Sequence, residues 1–280
     1  MHHWTKNVLV FVPLLMSHQI HDSRRVVAAV IVFASFCLAS SATYIFNDII
    51  DLPYDRTHRS KRRRPLSAGE MTIPAAGTLM IICALLGLTI AWFLGLETFF
   101  VILLYLALTT LYTLVIKRVL MADVVLLAAF YSLRVIAGGA ATDIVVSRWL
   151  LAFSSFLFMS IALAKRYSDL ARAEENNEEP PGGRNYTPSD RHVFLSLGTA
   201  TGMISVLVFA LYLNSSQVAT LYRTTDPLWF VCALLIYWIG RMWLMAHRGD
   251  IHDDPIVTAV TDPASYVVGM VIAALVIASI

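Results

Sequence analysis

Residues 25–56 read RVVAAVIVFASFCLASSATYIFNDIIDLPYDR. The stretch from Val26 to Asn47 carries no charge, and about 20 such residues are enough for a helix to cross the hydrocarbon core of a bilayer. Three acids, Asp48, Asp51 and Asp55, then follow at once. A full-length apolar run that ends abruptly in charge marks a membrane boundary. Working outward, similar runs recur at about 5–20, 25–46, 73–94, 97–116, 119–140, 148–165, 192–213, 227–246 and 263–280. Hydrophobic residues make up 58% of the 280 and charged residues 14%, against roughly 45–50% and about 25% in soluble domains. Mean hydropathy is +0.69. A water-soluble enzyme, a disordered chain and a secreted disulfide scaffold are excluded. Period-two alternation is absent, so the backbone must satisfy itself in helices. The expected fold is all-α: a polytopic membrane bundle of about nine transmembrane helices, forming one integral-membrane domain over residues 1–280. The first run is short and contains Pro13. No small-residue cleavage site follows it before Arg24 and Arg25, so it reads as a retained span.

The distribution of Lys and Arg orients the bundle. Segment 47–72 carries Arg56, Arg59, Lys61, Arg62, Arg63 and Arg64. Lys117 and Arg118 follow the fourth run, and Lys165, Arg166, Arg172, Arg184 and Arg191 follow the sixth. Lys6 and Arg248 fall on the same side, which makes fifteen, while Arg24, Arg25, Arg148 and Arg223 make four on the other. This asymmetry predicts a multi-pass protein of the cytoplasmic (inner) membrane whose two long polar segments, 47–72 and 165–191, face the cytoplasm. In the second segment the acidic run Glu174, Glu175, Glu178 and Glu179 predicts a short helix. Pro180-Pro181-Gly182-Gly183 predicts a hinge, and Thr187 to Asp190 a new helix cap.

The acids form the pattern NDxxDxxxD over Asn47, Asp48, Asp51 and Asp55. On a continuous helix Asn47, Asp51 and Asp55 share one face, with Asp48 beside them. Three carboxylates so close repel unless a positive group lies between them. Magnesium, with manganese as its substitute, suits them: it takes carboxylate oxygens and completes its shell with substrate phosphates. Pro53 cannot donate to residue 49 and disfavours helix at Leu52, so a kink or break is expected there.

This motif at the end of a second span, followed by Arg64-Pro65-Leu66-Ser67-Ala68-Gly69, resembles the UbiA superfamily of intramembrane prenyltransferases. Trp4-Thr5-Lys6-Asn7 resembles that family's opening signature, and Tyr112 through Lys117 its Tyr/Lys signature after the fourth span. Leu133 to Thr142 (LRVIAGGAAT) and Ala164 to Leu170 (AKRYSDL) are similar to the decaprenyl-phosphate phosphoribosyltransferase branch. The resemblance implies a transferase that moves 5-phosphoribosyl from phosphoribosyl diphosphate to a polyprenyl phosphate, with release of diphosphate. The product would feed arabinose donors for cell-wall polysaccharide. It also implies catalytic roles for Asp48, Asp51 and Asp55, and metal binding by these three with Asn47 and Asp169. The second DxxxD of typical prenyltransferases is incomplete here, because Ala173 stands four residues after Asp169 and Glu174 lies next to it.

Two phosphorylated substrates require cations. Arg56, His58, Lys61, Arg64, Lys117, Lys165 and Arg166 are candidates for phosphate contacts, joined by Lys6, Tyr112, Tyr167 and Glu174. Orientation and lipid headgroups explain part of the same charge, and Lys165 and Arg166 could equally snorkel at the interface. Arg134 lies inside the fifth run, where an unpaired charge costs at least about 2.5–3.5 kcal/mol, so it is expected to face a cavity and hold a phosphate. Gly138-Gly139 behind it fits close helix packing. Asp253, Asp254 and Asp262 read as helix caps, and Trp92, Trp149, Trp229 and Trp243 as interfacial anchors. No nucleic-acid partner is expected, and a homo-oligomer is left open. The alternative function is an aromatic prenyltransferase using a prenyl diphosphate at the same metal site. A third reading, a transporter or scaffold without chemistry, would show paired broken helices in two halves, a pattern the sequence lacks.

Overall fold

Uncharged runs of about 20 residues leave the backbone no partner but itself, and each becomes helical. The computed structural model describes residues 2–57, 61–175, 185–216, 218, 221–251 and 255–280. Side chains are described for all of these except residues 2, 3, 57, 61, 256, 259 and 260. Among the described residues there is no strand. The order is a 3-10 stretch His2–Phe11, α1 (Val12–Met16), α2 (Ser23–Ile50), α3 (Leu52–Thr57), α4 (Ile73–Leu94) and α5 (Leu96–Leu114). Then come α6 (Ala122–Thr142), α7 (Arg148–Glu175), α8 (Arg191–Leu213), α9 (Asp226–His247), α10 (Pro255–Thr261) and α11 (Pro263–Ser279). Seven of these helical segments are long and apolar enough to cross a membrane; Trp4–Met16 and Pro263–Ser279 are shorter apolar segments at the first and last predicted places. The protein is an integral-membrane helical bundle.

The ends follow local chemistry. Asp22 caps α2 by accepting from the Arg24 and Arg25 amides, Thr72 caps α4 through the Ala75 amide, and Asp262 caps α11 through the Ser265 amide. The predicted cap before α8 is present as a Thr187/Asp190 capping box. Pro13 and Pro53 each sit in the first turn of a new helix, where a missing N–H costs nothing. The first predicted span is therefore interrupted, with α-helix only from Val12 to Met16. The predicted break before Pro53 is also present: α2 stops at Ile50, and Asp51 caps it with its amide on the Asn47 carbonyl at 2.8 Å. One expectation needs correction. The segment after the sixth apolar run does not begin a separate helix, because α7 continues unbroken through Lys165 to Glu175. No proline or glycine interrupts it over that length. Glu178, Glu179, the Pro-Pro-Gly-Gly hinge, Asp253 and Asp254 lie outside the described residues.

The chain divides into two compact units, one with Met1–Asp123 and Leu133–Val146, the other with Val124–Ser132, Ser147–Pro181 and Asn185–Ile280. In the first, α2 packs on α4 and α5 and against the opening 3-10 stretch. Gly138 lies so close to that stretch that a Cβ there would sit 1.9 Å from the Val10 carbonyl oxygen. In the second, α7 lies along α8, α8 on α9 and α9 on α11. There Trp243 Nε1 donates to Ser160 Oγ at 3.0 Å, and Ser160 donates to the Gly198 carbonyl at 2.7 Å. Trp243 is 3% exposed and is a helix-packing residue, not an interfacial anchor. Its ring fills the space that Gly198 leaves open. Trp92 and Trp229 are exposed, as interfacial residues are.

Candidate functional site

The break at Asp51 distributes the acidic motif over two helices. Asn47 and Asp48 lie in the last turn of α2, Asp51 at the junction, and Asp55 in α3. The motif is pinned from below by apolar contacts: Leu52, Leu66 and Ala76 are buried together, with Ile45, Ile49 and Met71 packed against them. Leu66 belongs to the Arg64–Gly69 segment, which turns with the Ala68 amide on the Arg64 carbonyl at 2.8 Å and Gly69 at φ +81°. Burying Leu66 against Leu52 thus brings Arg64 over the carboxylates.

The result is a tight charge cluster. A single Arg64 nitrogen, Nη1, donates to Asp48 Oδ1 at 2.6 Å and to Asp55 Oδ2 at 2.7 Å. The two carboxylate oxygens therefore share one nitrogen as their donor. Asp55 is 1% exposed, whereas Arg64 and Asp48 keep 35% and 30% of their side-chain surface. Lys117, in the 3-10 turn after α5, donates from Nζ to Asp51 Oδ1 at 2.5 Å, and this pair is nearly enclosed. Two of the predicted phosphate-binding cations are thus gathered onto the three predicted catalytic acids.

The donor set suits a hard divalent cation, since carboxylate oxygens are what magnesium takes. In the structure as it stands those oxygens are turned onto Arg64 and Lys117. Among the described residues no three His, Cys, Asp or Glu side chains already converge as a metal-ready group. Arg56 is exposed beside the cluster, and Lys6 and Tyr112 are partly buried within the same unit. His58 lies outside the described residues, and so does the Lys61 side chain.

Arg134 differs from its expectation. It is 3% exposed, with Nε donating to Asn7 Oδ1 at 2.9 Å and Nη2 to the Tyr105 hydroxyl at 3.3 Å. Its guanidinium carbon lies 5.3 Å from the Phe36 ring centroid and 5.1 Å from that of Tyr105. Asn7, fully buried, also donates to Ser40 Oγ at 3.1 Å and to Cys37 Sγ at 3.3 Å. Neutral dipoles and π faces are among the groups that solvate the intramembrane charge. The partners of Arg134 tie the opening stretch, α2, α5 and α6 together. Asn7 stands in the opening signature, which was the signal that could have found it; Tyr105 left no such sign. Asp123 is wholly buried in the first turn of α6.

In the second unit the KRYSDL segment continues along α7. Arg166 is 2% exposed and donates from Nη1 to Asp169 Oδ2 at 3.1 Å, one turn away. It is a buried partner of Asp169, not a snorkelling cation. The Tyr167 hydroxyl lies 3.0 Å from His247 Nδ1, a neighbour from α9 that no sequence pattern announced. Lys165 is partly buried on the same helix. Glu174 pairs with Arg191. Asp262, expected as a cap, caps α11 and also accepts from Arg241 at 2.8 Å.

Residues 8–260 match the UbiA prenyltransferase family. The chain is 37% identical to the uncharacterized protein y4nM of Sinorhizobium fredii over 97% of its own length, and spans about half of that relative (53%). It is 32% identical to the nodulation protein NoeC of Azorhizobium caulinodans, covering 95% of this chain and 86% of NoeC. It is 29% identical to the decaprenyl-phosphate phosphoribosyltransferase of Mycolicibacterium smegmatis, covering 85% of this chain and 76% of that one. Its fold superimposes with a TM-score of 0.71 on a UbiA homolog from Archaeoglobus fulgidus bound to GPP and Mg2+. That match covers 98% and 94% of the two chains at 16% identity. An all-helical membrane bundle, an NDxxDxxxD motif gathered by basic residues and a family match over nearly the whole chain agree: the protein belongs to the UbiA prenyltransferase family, a family of membrane-embedded transferases.

Proposed function

We propose that the protein transfers 5-phosphoribosyl from phosphoribosyl diphosphate to a polyprenyl phosphate, at the cytoplasmic face of the inner membrane and with magnesium. The observation that carries the reading is the gathering of Asp48, Asp51 and Asp55 with Arg64 and Lys117 at the α2–α3 break. The choice of donor and acceptor is supported by similarity to the phosphoribosyltransferase of M. smegmatis, and the orientation by the excess of Lys and Arg on one side.

In this reading Asn47, Asp48, Asp51 and Asp55 hold the cation, and manganese would serve in its place. Bound there, magnesium neutralises diphosphate and makes it a better leaving group. Arg64, Arg56, Lys61 and Lys117 supply charge-assisted bonds to the same phosphates. His58 and Lys6 add contacts, with Tyr112 beside them. Lys165, Arg166 and Tyr167 on α7 are further phosphate-binding candidates, with Asp169 oriented by Arg166. The bond from the anomeric carbon to diphosphate oxygen breaks, and a bond to the polyprenyl phosphate oxygen forms. A phosphate monoester has a second pKa near about 6, so the attacking oxygen is already anionic and no general base is needed. The residues contribute position and electrostatics. The polyprenyl chain would lie between apolar helix faces.

The test supplies purified protein with labelled phosphoribosyl diphosphate, polyprenyl phosphate and magnesium. Labelled lipid appearing with released diphosphate supports the reading. Product formed only from a prenyl diphosphate and an aromatic acid rejects it. That second reading is favoured by one observation, the fold shared with the Archaeoglobus homolog bound to GPP.

A further inference from the structure

Lys117 and Arg64 are held differently on the acidic cluster. Lys117 is 5% exposed and nearly enclosed with Asp51, so its ammonium has little room to leave. Arg64 is 35% exposed, stands on a turn and spans Asp48 and Asp55 with one nitrogen. A cation that bridges two carboxylates through a single point does what a divalent ion does there. The bridge leaves the rest of the fork in a side chain that keeps a third of its surface. A guanidinium binds phosphate at least as well as carboxylate, through paired parallel bonds.

We propose that Arg64 is a displaceable stand-in for the metal, which couples metal entry to the arrival of the anionic donor. This rests on the metal site of the proposed function. Without donor, Arg64 holds Asp48 and Asp55 together and competes with a free divalent ion for the same oxygens. When a metal–diphosphate arrives, the guanidinium moves from carboxylate to phosphate, so that one interaction replaces another and neither partner is left bare. The cluster then discriminates against metal alone, and the carboxylates are kept from separating by repulsion. Lys117 keeps its bond to Asp51 throughout and orients it, with its other ammonium hydrogens left for phosphate.

The displacement predicts changes of opposite sign. Mn2+ binding to the full-length protein in detergent would be followed by electron paramagnetic resonance, first with Mn2+ alone and then with preformed Mn2+–diphosphate. Arg64→Ala and the shorter, neutral but polar Arg64→Gln should each bind Mn2+ alone about tenfold more tightly than wild type and Mn2+–diphosphate about tenfold more weakly, each tenfold corresponding to one lost or relieved charge contact. If both affinities fall together in both variants, Arg64 is only a ligand or a structural support and the stand-in role is overturned. If Mn2+ alone binds no more tightly while the diphosphate complex weakens, competition is absent and the proposal is likewise overturned. Failure of the underlying site looks different: wild type and Asp55→Asn would then bind Mn2+–diphosphate equally, and proposal and site reading would fall together.

Discussion

Two arginines of the first unit, Arg64 and Arg134, carry the same group into opposite surroundings. Arg134 is enclosed, and its partners include the Asn7 amide, the Tyr105 hydroxyl and the faces of Phe36 and Tyr105. Arg64 is partly open and rests on two carboxylates. A charge buried among aromatic faces and neutral dipoles ties helices together. A charge shared between acids at a membrane boundary can exchange one anion for another. Position within an apolar run thus leaves a cation's surroundings open, and its partners define them.

The comparison breaks most visibly at the acids. Asp51→Asn and Asp55→Asn should each lower turnover by at least about 100-fold, the scale of losing a charge-stabilising group in an enclosed site. Each change also leaves an enclosed pair without its anion and should lower the thermal midpoint, so turnover is read per folded molecule; turnover retained in either variant would remove the site from this place. Arg134→Met should spare turnover. Losing charge-assisted bonds in a buried setting destabilises by about 2–3 kcal/mol, read as a lower thermal midpoint, while turnover per folded molecule stays within about threefold. A turnover loss without a stability loss would return Arg134 to the substrate. Leu66→Ala sharpens the link between packing and site. It should cost about 2 kcal/mol or more and, by loosening the turn that carries Arg64, raise the KM for the diphosphate donor more than it lowers kcat. The smallest effect is expected at Glu174→Gln. Its partly exposed pair with Arg191 is worth less than about 1 kcal/mol, and turnover should be unchanged. A tenfold loss would instead assign Glu174 the place of the missing second acid.

Much of the bundle was readable from residue order, because uncharged length and the cost of bare backbone in lipid act locally. Pro53 announced the break that divides the acids between α2 and α3, and Thr187 and Asp190 announced the cap before α8. What stayed hidden depends on distant pairing. Lys117 reaches Asp51 across 66 residues, and Arg134 reaches Asn7 across 127. No periodicity encodes such meetings. The continuation of α7 to Glu175 was hidden for a different reason, since polarity beyond Lys165 resembled a loop although nothing in it stops a helix. The acids themselves were legible, whereas the division of cations between enclosed Lys117 and open Arg64 was not.

The account rests on a divalent ion binding among the oxygens of Asn47, Asp48, Asp51 and Asp55. Anomalous diffraction from crystals of the protein grown with Mn2+ and diphosphate tests this most directly. The account predicts an anomalous peak among those side chains, with Arg64 on the diphosphate. A peak elsewhere, or no peak with Arg64 still bridging Asp48 and Asp55, would contradict it.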